Sequence, residues 1–216
     1  VPLDDMDSDM MMAYEAYLKN NGVSPNSSSF YMRNLRAVYN RAVEKGLTSQ
    51  RFPFKHVYTG VEKTVKRAVP LKVIKRIKEM DFSMNPSFDF ARDMFLMSFY
   101  TRGMSFVDMA YLRKKDLQNG VLSYRRRKTG QQLFIKWEKC MQEIVDKYDT
   151  SQSNYLLPII KPFGDIDERT QYIYAAHNIN RCLKIIGKEL GLSVSLTLYV
   201  ARHAWASIAK SKNVPL

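Results

Sequence analysis

The sequence predicts a mainly α-helical protein with a small β-hairpin. A small helical N-terminal module precedes a larger α+β module. Three observations carry this reading. Apolar residues recur at helical spacing over most of the chain. Between Asp116 and Ile135 the period changes: Val121-Leu122-Ser123-Tyr124 and Leu133-Phe134-Ile135 flank a turn at Lys128-Thr129-Gly130, the pattern of a hairpin. Residues 55–69 carry Lys55, Lys63, Lys66 and Arg67 without a clear apolar period, which marks a module boundary. The expected division is 1–62 for the first module, 63–69 for a basic linker and 70–216 for the second.

The elements follow in order. Residues 8–21 set Met11, Tyr14, Tyr17 and Leu18 on one helix face, and Asn21-Gly22 ends that helix. Pro25-Asn26-Ser27-Ser28 reads as a turn and helix start, with Ser27, Ser28 or Ser29 as the cap. The helix over 29–45 is expected to turn Phe30, Leu35, Val38, Tyr39, Ala42 and Val43 inward, to hold Arg33, Arg36 and Arg41 outward, and to stop at Gly46. Pro53-Phe54 then breaks the pattern. Pro70 opens a helix over 70–80. Pro86 precedes another over 88–102, and its Phe90, Met94, Phe95, Met97 and Phe99 mark it as buried. Ser105 to Leu112 reads as a short helix. Further helices are expected over 138–148, 168–190 and 198–212.

The chain has 34 Lys+Arg against 21 Asp+Glu, a formal net charge of +13 over 216 residues. Such an excess favours an acidic polymer or surface as partner. No long uncharged apolar run spans a bilayer, and an N-terminus with Asp4, Asp5, Asp7 and Asp9 is no signal peptide. No membrane role is expected. Cys140 and Cys182 offer neither metal-ligand spacing nor a disulfide framework, so they read as small core residues in a reduced cytoplasm, with no metal or other cofactor.

Three basic residues stand out by position: Arg102 at the end of the buried helix before Gly103, Lys128 at the hairpin tip, and Arg202 in a late apolar helix. Two guanidinium groups can clamp a phosphate through forked hydrogen bonds, and a nearby Lys can protonate a leaving oxygen. Tyr199 lies three residues before Arg202 and is expected to project from the same side of the helix. Each has an ordinary alternative: an Arg that complements a helix dipole, a solvated hairpin Lys, a packed His203, a core Trp205.

The segment Asn26 to Gly46 with Pro53-Phe54 resembles the helical, SAM-like core-binding module of the tyrosine recombinases of the phage-integrase family. Phe99-Tyr100-Thr101-Arg102-Gly103-Met104-Ser105-Phe106-Val107-Asp108-Met109, then Arg127-Lys128-Thr129-Gly130, then Tyr199-Val200-Ala201-Arg202-His203 resemble the catalytic domain of integrases found on mobile elements of Bacteroidetes. The resemblance implies a Tyr hydroxyl that attacks a DNA phosphate, leaving a 3′-phosphotyrosyl link and a free 5′-hydroxyl, without cofactor. It implies Arg202 as the second catalytic Arg, Lys128 as proton donor to the leaving oxygen, and His203 as support of the site.

Three departures from the family pattern shape the expectations. Tyr199 stands where the family keeps a His, and a phenol is a poor base at neutral pH, so it is expected to position phosphate and not to attack it. The register of the first catalytic Arg falls on Ser105, with Asp108 at the acidic position. Arg102 is the expected substitute, with Ser105 donating a hydrogen bond and the helix ending at Gly103 to allow the reach. No tyrosine follows Tyr199, so the nucleophile and the later His or Trp are expected to lie outside this chain.

The partner implied is duplex DNA, gripped by a C-shaped clamp, with self-association into a tetramer on DNA, accessory DNA-bending proteins and a bacterial, nucleoid-associated location. Arg33, Arg36, Lys63, Lys66, Arg67, Lys72, Lys75, Arg76, Arg125, Arg126 and Arg127 are expected to line it, mostly on phosphates. The alternative function is a non-catalytic DNA-binding protein with the same fold. A basic helical protein that binds RNA or an acidic protein is a third reading.

Overall fold

The computed structural model describes residues 2–64, 67–162 and 165–214. The chain divides into two compact units, Val1–Val65 and Lys66–Leu216.

In the first unit α1 (Ser8–Asn20) starts where the Asp7 carboxylate accepts the Met10 N–H at 2.8 Å. Helix α2 (Pro25–Glu44) begins earlier than the sequence suggests. Pro25 occupies its first turn, where a missing N–H costs nothing, and Ser24 is the cap. Met11, Leu18, Met32, Tyr39, Phe54 and Val57 form the core. Phe30 and Val38, expected inside, are 55% and 63% exposed, and Tyr17 of α1 is 62% exposed. At 100° per residue Phe30 lies on the opposite side of α2 from buried Met32, so its size does not bring it inward. The segment after Pro53 is tied to this unit. Asn26 brackets Glu62, donating to its carbonyl at 3.1 Å and accepting its N–H at 2.8 Å. Glu15 accepts the Tyr58 N–H at 2.8 Å. Val57 is buried, so the lack of apolar period over 55–62 does not denote a free linker.

The second unit packs helices around a small sheet. α3 (Leu71–Glu79) turns Val73, Ile74 and Ile77 inward. α4 (Pro86–Tyr100), capped by Asn85, is the central helix and packs against α7 (Glu168–Glu189) and α8 (Leu198–Ser211). The short α5 is Phe106–Ala110. β1 (Leu117–Gln118), β2 (Val121–Arg125) and β3 (Gln132–Lys136) form an antiparallel sheet in that order, with Leu122 opposite Ile135 and Tyr124 opposite Leu133. Leu122, Tyr124 and Ile135 face the core, while Val121 and Phe134 face out, as a period of two requires. α6 is Lys139–Val145. The fold is mainly α with one three-stranded antiparallel sheet. Cys182 is buried, but Cys140 is only half-buried, and its burial pushes the thiol pKa up. No described helix is long and apolar enough to cross a membrane.

Candidate functional site

The site starts from the way α4 ends. The helix stops at Tyr100, two residues before the end expected from its apolar run. The Thr101 hydroxyl donates back to the Met97 carbonyl at 2.6 Å, and the Gly103 N–H donates to the Ser98 carbonyl at 2.8 Å. The Ser98 hydroxyl then donates to the Met104 carbonyl at 2.8 Å, fixing the turn from both sides. Within it Arg102 and Gly103 are both left-handed, with φ of 60° and 74°. Arg102 therefore lies beyond the helix, in the turn that follows it.

α8 crosses this turn at Arg202. A Cβ on Gly103 would lie 2.9 Å from the Arg202 Cγ and 3.0 Å from its Cα, so only glycine permits the approach. Arg102, Ser105 and Arg202, separated by up to 100 residues, line one cavity of about 710 Å³. Arg126, Tyr124 and Trp205 line it too. Trp205 is only half-buried and forms a wall of this cavity instead of a core position.

Ser105 caps α5, accepting the Asp108 N–H, and its hydroxyl donates to the Asp108 Oδ2 at 2.6 Å. A hydroxyl has one proton to give, so the expected hydrogen bond from Ser105 to phosphate is already spent inside the protein. Asp108 is buried, and its Oδ1 accepts the Arg127 N–H at 2.9 Å, joining the turn, α5 and the hairpin. The Arg127 guanidinium lies 3.9 Å over the Tyr111 ring. Burial, reinforced by the charge of Asp108, pushes the Tyr124 phenol up to about 12.

Other expected site residues lie elsewhere. Lys128 is exposed on the hairpin loop and does not line the cavity. Nor do Tyr199 and His203, although Tyr199 precedes Arg202 by less than a turn. The Tyr199 ring is 61% exposed and stands edge-on to His203, with centroids 4.4 Å apart. Arg33, Arg36, Lys63, Arg67, Lys72, Lys75, Arg76, Arg125 and Arg127 are exposed. Lys66 lies outside the described residues. Among the described residues no three His, Cys, Asp or Glu side chains converge as metal ligands.

The structure adds a polar cluster under α4 that the apolar pattern does not announce. Asp93, 2% exposed, accepts from Arg92, from Lys147 and from the Tyr148 hydroxyl at 2.9 Å. Arg92 also pairs with Asp89. One signal for it is present in the sequence: Arg92-Asp93 interrupts an apolar run that reads as buried, and a buried charge requires partners.

Residues 1–58 match the phage integrase SAM-like domain family. The whole chain is similar in structure to a lambda integrase (residues 75–356) in a dimer bound to a COC′ core site, with a TM-score of 0.69, 16% identity, and coverage of 98% of this chain and 74% of that one. A longer lambda integrase chain, in a dimer on the same core site, gives 0.71 and 15% identity over 98% of this chain, which spans 59% of its length. The Tn1549 transposon integrase in complex with circular intermediate DNA gives 0.67 and 15% identity, covering 100% of this chain and 76% of that one. No protein of curated function matches the sequence. The chain has the fold of the lambda and Tn1549 integrases, and its first 58 residues match the phage integrase SAM-like domain family.

Proposed function

We propose that this chain binds duplex DNA and holds the target phosphate for a tyrosine recombinase that breaks and rejoins DNA through a 3′-phosphotyrosyl intermediate. The observation that carries this reading is the meeting of Arg102 and Arg202 in one cavity, with Gly103 pressed against Arg202. Two forked guanidinium groups suit the non-bridging oxygens of a phosphodiester. Arg102 takes the part of the first catalytic Arg, and Lys128 protonates the leaving 5′-oxygen after the hairpin closes on DNA. Basic residues of both modules contact phosphates of the duplex. Solved lambda integrase complexes include a dimer on a core site and a tetramer on a Holliday junction, which supports self-association on DNA here. Tyr199, exposed and turned onto His203, and Tyr124, held protonated by burial, are not the attacking groups in this reading.

The test uses this chain for DNA retention and the complete gene product with a nicked duplex that traps covalent intermediates. Salt-dependent retention of duplex DNA is expected, with an adduct that Arg202→Ala and Arg102→Ala abolish while most binding remains. Equal retention of RNA or an acidic protein would sink the DNA reading. Duplex binding with no adduct from the complete gene product would leave a DNA-binding protein on a recombinase fold.

A further inference from the structure

We propose that Arg126 is a third phosphate ligand of this cavity, so that the folded hairpin presents a guanidinium to the bound anion while Lys128 stays outside. This rests on the reading of the cavity as a phosphate site. The hairpin carries four consecutive basic residues, Arg125 to Lys128, and composition alone treats them alike. The fold separates them. The Arg125 guanidinium donates to the Gly130 carbonyl at 3.0 Å. Arg127 is stacked on Tyr111, with its N–H on Asp108. Lys128 is exposed on the loop.

Arg126 is the member of the four that lines the cavity, and it is half-buried there. Two constraints place it. Arg126 follows the end of β2 and lines the cavity with Tyr124, while Arg125 and Arg127 line a separate hollow beside Asp108 and Tyr111. Its backbone closes the hairpin loop: the Arg126 N–H donates to the Gln131 carbonyl and its own carbonyl accepts the Gly130 N–H, both at 2.8 Å. The side chain therefore leaves a fixed anchor. Arg126, Arg202 and Tyr124 line the same cavity.

A guanidinium keeps its charge, offers a fork of donors and gives up no proton. Arg126 thus stabilises negative charge on the phosphate and takes no part in protonating a leaving oxygen. A hairpin that supplies both functions needs two different side chains, and Arg126 and Lys128 divide them.

The test follows the Nε–Hε signals of the arginines by NMR as the chain is titrated with inorganic phosphate. Arg102, Arg126 and Arg202 are expected to shift with a single dissociation constant. Arg126→Ala should weaken phosphate by about ten-fold or more, the loss of one charge-assisted fork. Lys136→Ala and Lys139→Ala, exposed cations that do not line the cavity, should change it by less than about two-fold. Arg126→Lys, which keeps the charge and the aliphatic stem, guards against misfolding and should fall between. If phosphate shifts Arg102 and Arg202 with an unchanged constant in Arg126→Ala, or if Lys136→Ala weakens it as much, the assignment of Arg126 is overturned while the phosphate site stands. If none of the three arginines shifts, the phosphate site itself is overturned.

Discussion

Gly103 decides how closely two distant arginines approach. Its backbone is left-handed, and a methyl group added there would sit 2.9 Å from the Arg202 side chain, which leaves no room for alanine. Gly103→Ala should destabilise the protein by about 2 kcal/mol or more, from backbone strain plus overpacking. Urea unfolding measures that loss, and inorganic phosphate affinity measured on the folded fraction should also fall as Arg202 is displaced. Tyr124 makes a pH prediction. Its folded pKa of about 12 lies above the ordinary phenol value near 10 because burial, and then Asp108, disfavour the phenolate. The stabilisation is complete below pH 10 and is lost as pH rises from 10 toward 12. Urea midpoints across that window should decline less steeply in Tyr124→Phe than in the parent. An unchanged slope would mean that the phenol is solvated in the folded state.

At the scale of elements, the aromatic and Met content of α4 announces its burial, yet neither its end nor the fate of its charges can be read the same way. The end depends on carbonyls captured by Thr101 and Gly103, which no apolar period reports. Its charges depend on Lys147 and Tyr148, more than 50 residues away. Asp93→Ala leaves Arg92 and Lys147 beside a buried gap, with Asp89 as their remaining carboxylate partner and the Met80 carbonyl still accepting from Arg92. A cost of about 3 kcal/mol in urea unfolding is expected, the usual result of removing one partner from a buried ion pair. Helix α1 gives a smaller effect. Asp7→Ala removes a cap with a 2.8 Å hydrogen bond and should cost about 1 kcal/mol. In α2 apolar character alone points Phe30 and Val38 inward, and their exposure shows that phase around the helix decides burial.

Charge is distributed unevenly over the whole molecule. The first 65 residues hold 8 of the 34 Lys+Arg and 7 of the 21 Asp+Glu, so nearly all of the +13 resides in the remainder. If that remainder neutralises most of the phosphates, replacing Lys72, Lys75 and Arg76 together by Ala should flatten the plot of log affinity against log salt by about 0.9 for each phosphate no longer neutralised. Arg33→Ala with Arg36→Ala should flatten it less, since Arg36 already donates to Thr59 and Arg33 to the Ser29 carbonyl. Fluorescence anisotropy with a labelled duplex across a salt series checks both. Equal slopes for the two variants would spread the phosphate-binding charge evenly over the chain.

By itself the sequence determined the helices, the hairpin, the surplus of basic charge and the candidacy of Arg102 and Arg202. These follow from local periodicity, turn residues and composition, which act over a few residues at a time. Tertiary structure decided which cations share a cavity. Arg202 and Arg126 enter it, Lys128 and Tyr199 do not, and the Ser105 hydroxyl is committed to Asp108. Neighbours in sequence thus part company, because a side chain's destination depends on the phase of its helix or strand and on partners that only packing brings near.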